Sequence, residues 1–86
     1  MDNTKTNDNK LFKFILKCCR NYYKPDVHSF FIDIRGGKAF VECDQYEVRM
    51  TFYLFNREEP ILWCGTPVAA ANRLEANGAV YETIDM

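Results

Sequence analysis

Residues 29–55 have the sequence SFFIDIRGGKAFVECDQYEVRMTFYLF, and this stretch decides the fold. Apolar residues occupy alternate positions in three successive runs, which Gly36-Gly37 and Asp44-Gln45 separate. Strict alternation is typical of a strand with one buried face, and a glycine pair between two such runs is typical of a tight hairpin. The stretch therefore predicts a three-stranded antiparallel meander.

Two-residue turns at these positions predict a register for both hairpins. One face of the sheet is then apolar throughout, and a slip of one residue would move every side chain to the other face. The same register sets Arg35 opposite Lys38 and Glu42 opposite Glu47, and like charges across a ladder are unfavourable. The predicted apolar face consists of Phe30, Ile32, Ile34, Ala39, Val41, Cys43, Val48, Met50, Phe52 and Leu54.

An amphipathic helix is predicted over residues 10–24. Its apolar side chains recur at helical spacing, and Pro25 ends it because the residue before a proline avoids helical backbone angles. Residues 1–9 are polar apart from Met1 and predict a flexible N-terminal arm. The polar side of the helix has no acidic residue and forms a basic stripe. The basic stripe consists of Lys10, Lys13, Lys17, Arg20 and Lys24.

Two strands and a second helix are predicted after the meander. Residues 61–64 are apolar and predict a short buried strand or extended segment. Thr66 and Pro67 suit the N-cap and the first position of a helix, which Asn77-Gly78 ends. Residues 79–84 read as a last, short strand at an edge of the sheet.

Together these elements predict a single α+β domain over residues 10–86. It has two layers and the order α-β-β-β-β-α-β, with an antiparallel sheet of four or five strands and both helices on one face. A chain of 86 residues is small for the internal cleft that most enzymes use, which favours a binding protein without catalytic activity.

Neither a cofactor nor a metal is expected. The four cysteines form no Cys-x-x-Cys pair, and His28 is the only histidine, so the ligands of a closed zinc site are missing. No apolar run is long enough to cross a bilayer, and no secretory signal is visible. We therefore expect a cytoplasmic protein with reduced thiols and no membrane partner.

The outward face of the meander is predicted to be unusually aromatic. Side chains that alternate with the apolar face should meet solvent, yet several are large and apolar. A mixture of aromatic and charged side chains is typical of protein interfaces. The candidate partner-binding residues on this face are Phe31, Phe40, Arg49, Tyr53 and Phe55.

Two resemblances to known families add alternatives. The order helix, three antiparallel strands, helix over residues 10–77 is similar to that of double-stranded-RNA-binding domains, which implies RNA binding; residues 67–71 lack the lysine cluster of that family, so no residue is carried over. Residues 63–65 are Trp-Cys-Gly and resemble part of the thioredoxin active-site stretch, with Pro67 in place of the second cysteine. This second resemblance implies a monothiol redox role for Cys64.

The charge distribution suggests a function in macromolecular binding. Residues 1–25 carry six basic and two acidic groups, a net +4, whereas residues 26–86 carry five basic and ten acidic groups, a net −5. Small chains with two-sided charge are typical of phage and mobile-element proteins that block host defence, including anti-CRISPR proteins. The favoured hypothesis is an inhibitor or regulator that occupies the surface of a larger complex. Nucleic-acid binding through the basic stripe, redox chemistry at Cys64 and a homodimer stay open as alternatives.

Overall fold

The structure is a computed structural model that describes residues 3–20, 28–45 and 47–85. It confirms the predicted α+β fold and the order of its elements. These elements are α1 (Asn3–Arg20), β1 (Ser29–Ile34), β2 (Gly37–Cys43), β3 (Val48–Leu54), β4 (Ile61–Gly65), α2 (Pro67–Ala76) and β5 (Val80–Asp85).

The five strands form one antiparallel sheet in the order β4-β3-β2-β1-β5. Both helices pack on the same face, which we call the inner face. The opposite face, which we call the outer face, is covered by neither helix. The core lies between the inner face and the helices, and it contains Leu11, Ile15, Cys18, Cys19, Phe30, Ile32, Ile34, Ala39, Val41, Cys43, Val48, Met50, Phe52, Ala70, Ala71 and Leu74.

Helix α1 begins at Asn3, earlier than the Lys10 that the apolar pattern predicts. Extending an existing helix adds one hydrogen bond for each residue that is fixed, so polar residues can continue it beyond the packed segment. The packed segment buries Leu11 and Ile15, and the Phe14 ring meets the Phe30 ring edge to face at 5.0 Å. The predicted end of this helix, residues 21–25, lies outside the described residues. The division into an arm and a domain stays a prediction.

The first hairpin turns one residue earlier than predicted. Its loop is Arg35-Gly36, where Gly36 has a φ of +80° that favours glycine. Lys38 therefore lies opposite Asp33 and not opposite Arg35. Lys38 Nζ is 3.1 Å from Asp33 Oδ1, so an ion pair replaces the predicted like-charged pair.

The second hairpin turns one residue later than predicted. The Asp44 side chain accepts a hydrogen bond from the Glu47 amide at 2.8 Å, and the Asp44 amide donates to the Glu47 carbonyl at 3.0 Å. These bonds hold a longer loop, so Glu42 lies opposite Arg49 and not opposite Glu47. Both registers thus differ from the prediction by two residues, which leaves every side chain on its predicted face.

Strand β4 is an edge strand and not the buried strand that its apolar sequence predicts. Within the described part of the chain it pairs only with β3, and Leu62 is 76% exposed. The predicted start of α2 is confirmed, since Thr66 Oγ1 accepts a hydrogen bond from the Ala69 amide at 3.1 Å and Pro67 follows it. The small buried residues Ala70 and Ala71 bring this helix close to the sheet. Strand β5 lies at the other edge, as predicted.

Neither described helix has a stretch that is both long and apolar enough to span a bilayer.

Candidate binding surface on the outer sheet face

A row of four neighbouring side chains crosses the outer face from the β4 edge to β1. In the sheet register Leu62 pairs with Thr51, Thr51 pairs with Phe40, and Phe40 pairs with Phe31. Directly paired positions hold their side chains on the same face within contact distance. We call these residues the apolar row, in which Thr51 contributes a methyl group between two larger apolar side chains.

The apolar row is exposed at both ends and partly exposed between them. Leu62 is the most exposed member, Phe31 is 38% exposed, and Phe40 and Thr51 are half-buried. The rings of Phe31 and Phe40 stack at a tilt of 38° with their centroids 4.6 Å apart. This contact shields part of each ring and leaves the rest available to a partner.

Charged side chains border the apolar row on both sides. On one side Arg49 lies opposite Glu42, and Arg49 Nη1 is 3.8 Å from Glu47 Oε2. On the other side Asp33 and Lys38 form the ion pair described above. An apolar centre with a polar border is the arrangement found in protein interfaces.

Three predicted members of the outer face extend this surface beyond the row. Arg49 belongs to the charged border, and Tyr53 lies beside Lys38 with 48% of its surface exposed. Phe55 follows the end of β3, where its amide donates to the Gly36 carbonyl at 2.9 Å and its side chain is 87% exposed.

Sequence reasoning missed Leu62 and Thr51. Leu62 reaches this surface only because β4 is an edge strand beside β3, a fact of topology that no local pattern encodes. A depression of about 360 Å³ adjoins Leu62 on this face, with Thr51, Arg49 and Cys64 among the residues that line it. The signal that could have found Thr51 is its position midway between Arg49 and Tyr53 in the same strand.

The Cys64 thiol also lies on the outer face and not at the start of α2. It pairs with Arg49 across the ladder, and its Sγ donates a hydrogen bond to Glu47 Oε1 at 3.2 Å. This hydrogen bond to a carboxylate raises the pKa of Cys64 above its ordinary value. The thiol form is therefore favoured over the thiolate that redox chemistry requires, so the geometry lends the redox hypothesis no support.

The other three cysteines are buried free thiols in the core. The interaction between the Cys43 and Cys18 thiols raises the pKa of Cys43 and lowers the pKa of Cys18. Burial raises the pKa of Cys19. These residues fill space between α1 and β2 as small apolar side chains do.

The basic stripe lies on the exposed side of α1, away from the sheet. Lys10, Lys13, Lys17 and Arg20 are all exposed, and Lys10 Nζ is 5.1 Å from the centre of the Tyr81 ring. Lys24 lies outside the described residues. Because α1 packs on the inner face, the structure separates the basic stripe from the apolar row.

The fold and this surface define a small α+β domain whose sheet is covered by helices on one side and, within the described residues, by neither helix on the other. Comparison with protein-family models, with curated proteins and with solved structures finds no match to the chain. The function must therefore be argued from the surfaces themselves.

Proposed function

We propose that this chain is a small, non-catalytic, cytoplasmic binding protein whose outer face docks on a partner protein. The observation that carries the proposal is the apolar row, because the fold does not need large apolar side chains on a face that neither described helix covers. Removing apolar surface from water contributes roughly 25 cal/mol per Å², so burying this row against a partner is favourable. Aromatic side chains are also enriched among the residues that dominate binding energy.

The charges of the outer face favour a protein over a nucleic acid as the partner. Among the described residues of the strands and of the loop before β3, four carboxylates lie on or beside this face, against the two cations Lys38 and Arg49. A net negative surface repels phosphates and attracts cationic side chains. The partner surface we propose is an apolar projection surrounded by lysine or arginine. The carboxylates are those of Asp33, Glu42, Glu47 and Asp85.

A protein that covers part of a larger complex in this way acts as an inhibitor or regulator of that complex. The more specific role of a phage or mobile-element inhibitor of host defence, similar in action to anti-CRISPR proteins, follows from the small size and two-sided charge of the chain. It is the biological setting that we propose for the same surface.

The test is to capture partners from a native or host lysate with the tagged protein, with and without nuclease treatment. The variant Phe31→Thr/Leu62→Thr removes both ends of the apolar row while keeping good strand-forming residues. Val68→Thr, which changes an apolar side chain on α2 that is 55% exposed, is the matched control. We expect to capture a partner protein in stoichiometric amount, with or without nuclease treatment. This partner should bind the control variant normally and the double variant with an affinity lower by about tenfold or more.

The outcome that would contradict the proposal is a partner that binds the double variant as tightly as the unchanged protein. Circular dichroism of each variant shows whether a loss of binding comes from the changed surface or from unfolding.

The second candidate function is nucleic-acid binding through the basic stripe. The observation in its favour is that four exposed cations lie on one side of α1 with no acidic residue among residues 10–20. Affinity for a polyanion should then fall steeply as salt rises, because each neutralised phosphate releases counterions. Lys13→Glu/Arg20→Glu should abolish binding of this kind while Phe31→Thr/Leu62→Thr leaves it intact. Recovery of nucleic acid without a protein would favour this candidate.

A further inference from the structure

The two edges of the sheet differ in how well they are protected against further pairing. Charged side chains and register irregularities discourage another strand from adding to an edge. Strand β5 has both, since it carries Glu82 and Asp85 and shifts its register against β1. At this shift the Asp33 amide donates to Thr83 Oγ1 at 2.8 Å.

Strand β4 lacks these protections. Its five residues, Ile61–Gly65, contain no charged side chain, and its pairing with β3 is regular throughout. Among the described residues β4 is paired on one side only, so its other side presents backbone N–H and C=O groups to which no described strand bonds. The Trp63 ring lies close to Gly65, where an added Cβ would come within 2.6 Å of the indole.

Depressions flank β4 on both faces of the sheet. The outer depression, about 360 Å³, is the one that adjoins Leu62 and Thr51. The second, about 220 Å³, lies on the helix side between β4 and α2, where Arg73 and Asn77 form part of its wall. Leu62 and Trp63 contribute to both depressions, so the two meet at β4.

We propose that β4 accepts an extended segment of a partner protein as an additional strand of the sheet. Successive side chains of a strand point to opposite faces, so one side chain of the segment would enter the outer depression and the next would enter the helix-side depression. Main-chain hydrogen bonds then provide affinity, and the two depressions provide selectivity. This inference goes beyond the proposed function, because it depends on the backbone of β4 and can hold or fail separately from docking on the apolar row.

The helix-side depression determines the chemistry of the segment. Its apolar wall is formed by Ile61, Trp63 and neighbouring residues of β3. Arg73 is exposed at its rim, and within the described parts of the chain no carboxylate lies within ion-pair distance of this guanidinium. The segment that fits is therefore apolar at the position facing this depression and carries an aspartate or glutamate beside it.

Trp63 provides a direct readout, because it is the only tryptophan in the chain and lies in β4. The probe is a short synthetic peptide that alternates valine with threonine around one central glutamate. We expect it to shift the Trp63 emission to shorter wavelength and to change the amide NMR signals of β4. A matched peptide with lysine in place of glutamate should bind roughly two- to fivefold more weakly.

Backbone methylation distinguishes strand addition from a simple side-chain contact. One edge of an added strand bonds to β4 and the other faces solvent, so N-methyl groups on alternate residues block only one of the two possible edges. We expect one alternately N-methylated peptide to lose about tenfold or more in affinity and the other to bind normally.

Charge reversal completes the test. Arg73→Glu should make the protein prefer the lysine peptide. If this variant does not fold, Arg73→Gln takes its place and should bind the two peptides equally. Arg20→Glu on α1 is the matched control and should leave the preference unchanged. The inference is overturned if the glutamate peptide does not bind or if both methylated peptides bind equally weakly. It is also overturned if the amide changes map to β5 or to the apolar row alone. A dimer in sedimentation, with β4 occupied by a second copy of the chain, would overturn it as well.

Discussion

The inner and outer faces of the sheet are made by the same strands but satisfy different requirements. In β1, Phe30 on the inner face is 1% exposed and Phe31 on the outer face is 38% exposed. The inner face is covered by α1 and α2, so its apolar side chains are explained by folding. Neither helix covers the apolar row, so packing against the helices does not explain its apolar side chains. The difference indicates which apolar residues stabilise the fold and which are available for binding.

The largest expected effect comes from comparing these two adjacent phenylalanines. Phe30→Ala should lower the free energy of unfolding by about 3–5 kcal/mol, because it leaves a cavity beneath the Phe14 ring. Phe31→Ala should cost about 1 kcal/mol, since it loses only part of its contact with Phe40. Urea denaturation of both variants measures the difference. Equal costs would mean that the outer face is also covered, and the comparison would fail.

The second prediction concerns Gly36, in the loop between β1 and β2, and Gly37, the first residue of β2. A Cβ on Gly37 would collide with the backbone carbonyl of Tyr53 in the neighbouring strand, so Gly37→Ala should cost about 1–3 kcal/mol through overpacking. Gly36 has open space around it and only its positive φ to oppose a side chain, so Gly36→Ala should cost about 1 kcal/mol. Thermal unfolding ranks the two variants. The opposite ranking would mean that β2 and β3 do not approach each other closely at Gly37.

The third prediction uses the thiols of the two faces. Cys64 on the outer face should react with an alkylating reagent in the folded protein, whereas the buried Cys18 and Cys43 should react only after unfolding. Glu47→Gln removes the carboxylate that raises the pKa of Cys64, so the thiolate fraction and the reaction rate at mildly alkaline pH should increase. An unchanged rate would show that the hydrogen bond does not form in solution.

The same hydrogen bond has a consequence for stability. A pKa that is raised in the folded state means that folding favours the protonated thiol. The stabilisation is therefore fully present below the ordinary thiol pKa of 9.0 and is lost as pH rises through the higher pKa of folded Cys64. Glu47→Gln should reduce this loss, which pH-dependent denaturation measures.

The sequence predicts the element order and the facing of the meander residues, because alternation and helical spacing are local signals. It does not predict register, since a shift of two residues leaves a period-two pattern unchanged. Register is set instead by the turns, through the positive φ of Gly36 and the hydrogen bonds between Asp44 and Glu47. Both like-charged pairs in the predicted register were signs of this error.

The candidate surface is predicted to a similar extent. Phe31, Phe40, Arg49 and Tyr53 follow from parity alone, since any register with the same parity places them on the outer face. Leu62 does not follow, because an apolar run at the edge of a sheet looks the same in sequence as one at its centre. Whether such a run is buried depends on which strands lie beside it, and that is decided by the whole chain.

The smallest effect is expected from Lys38, and its sign distinguishes the two registers. Lys38→Glu sets a carboxylate opposite Asp33 and should destabilise the fold by about 0.3–1 kcal/mol at low salt. If Lys38 lay opposite Arg35 instead, the same change would create an ion pair and stabilise the fold. Asp33→Lys/Lys38→Glu exchanges the two charges and should restore the original stability. Chemical denaturation at low and high salt is the measurement, and the effect should shrink as salt screens the exposed charges.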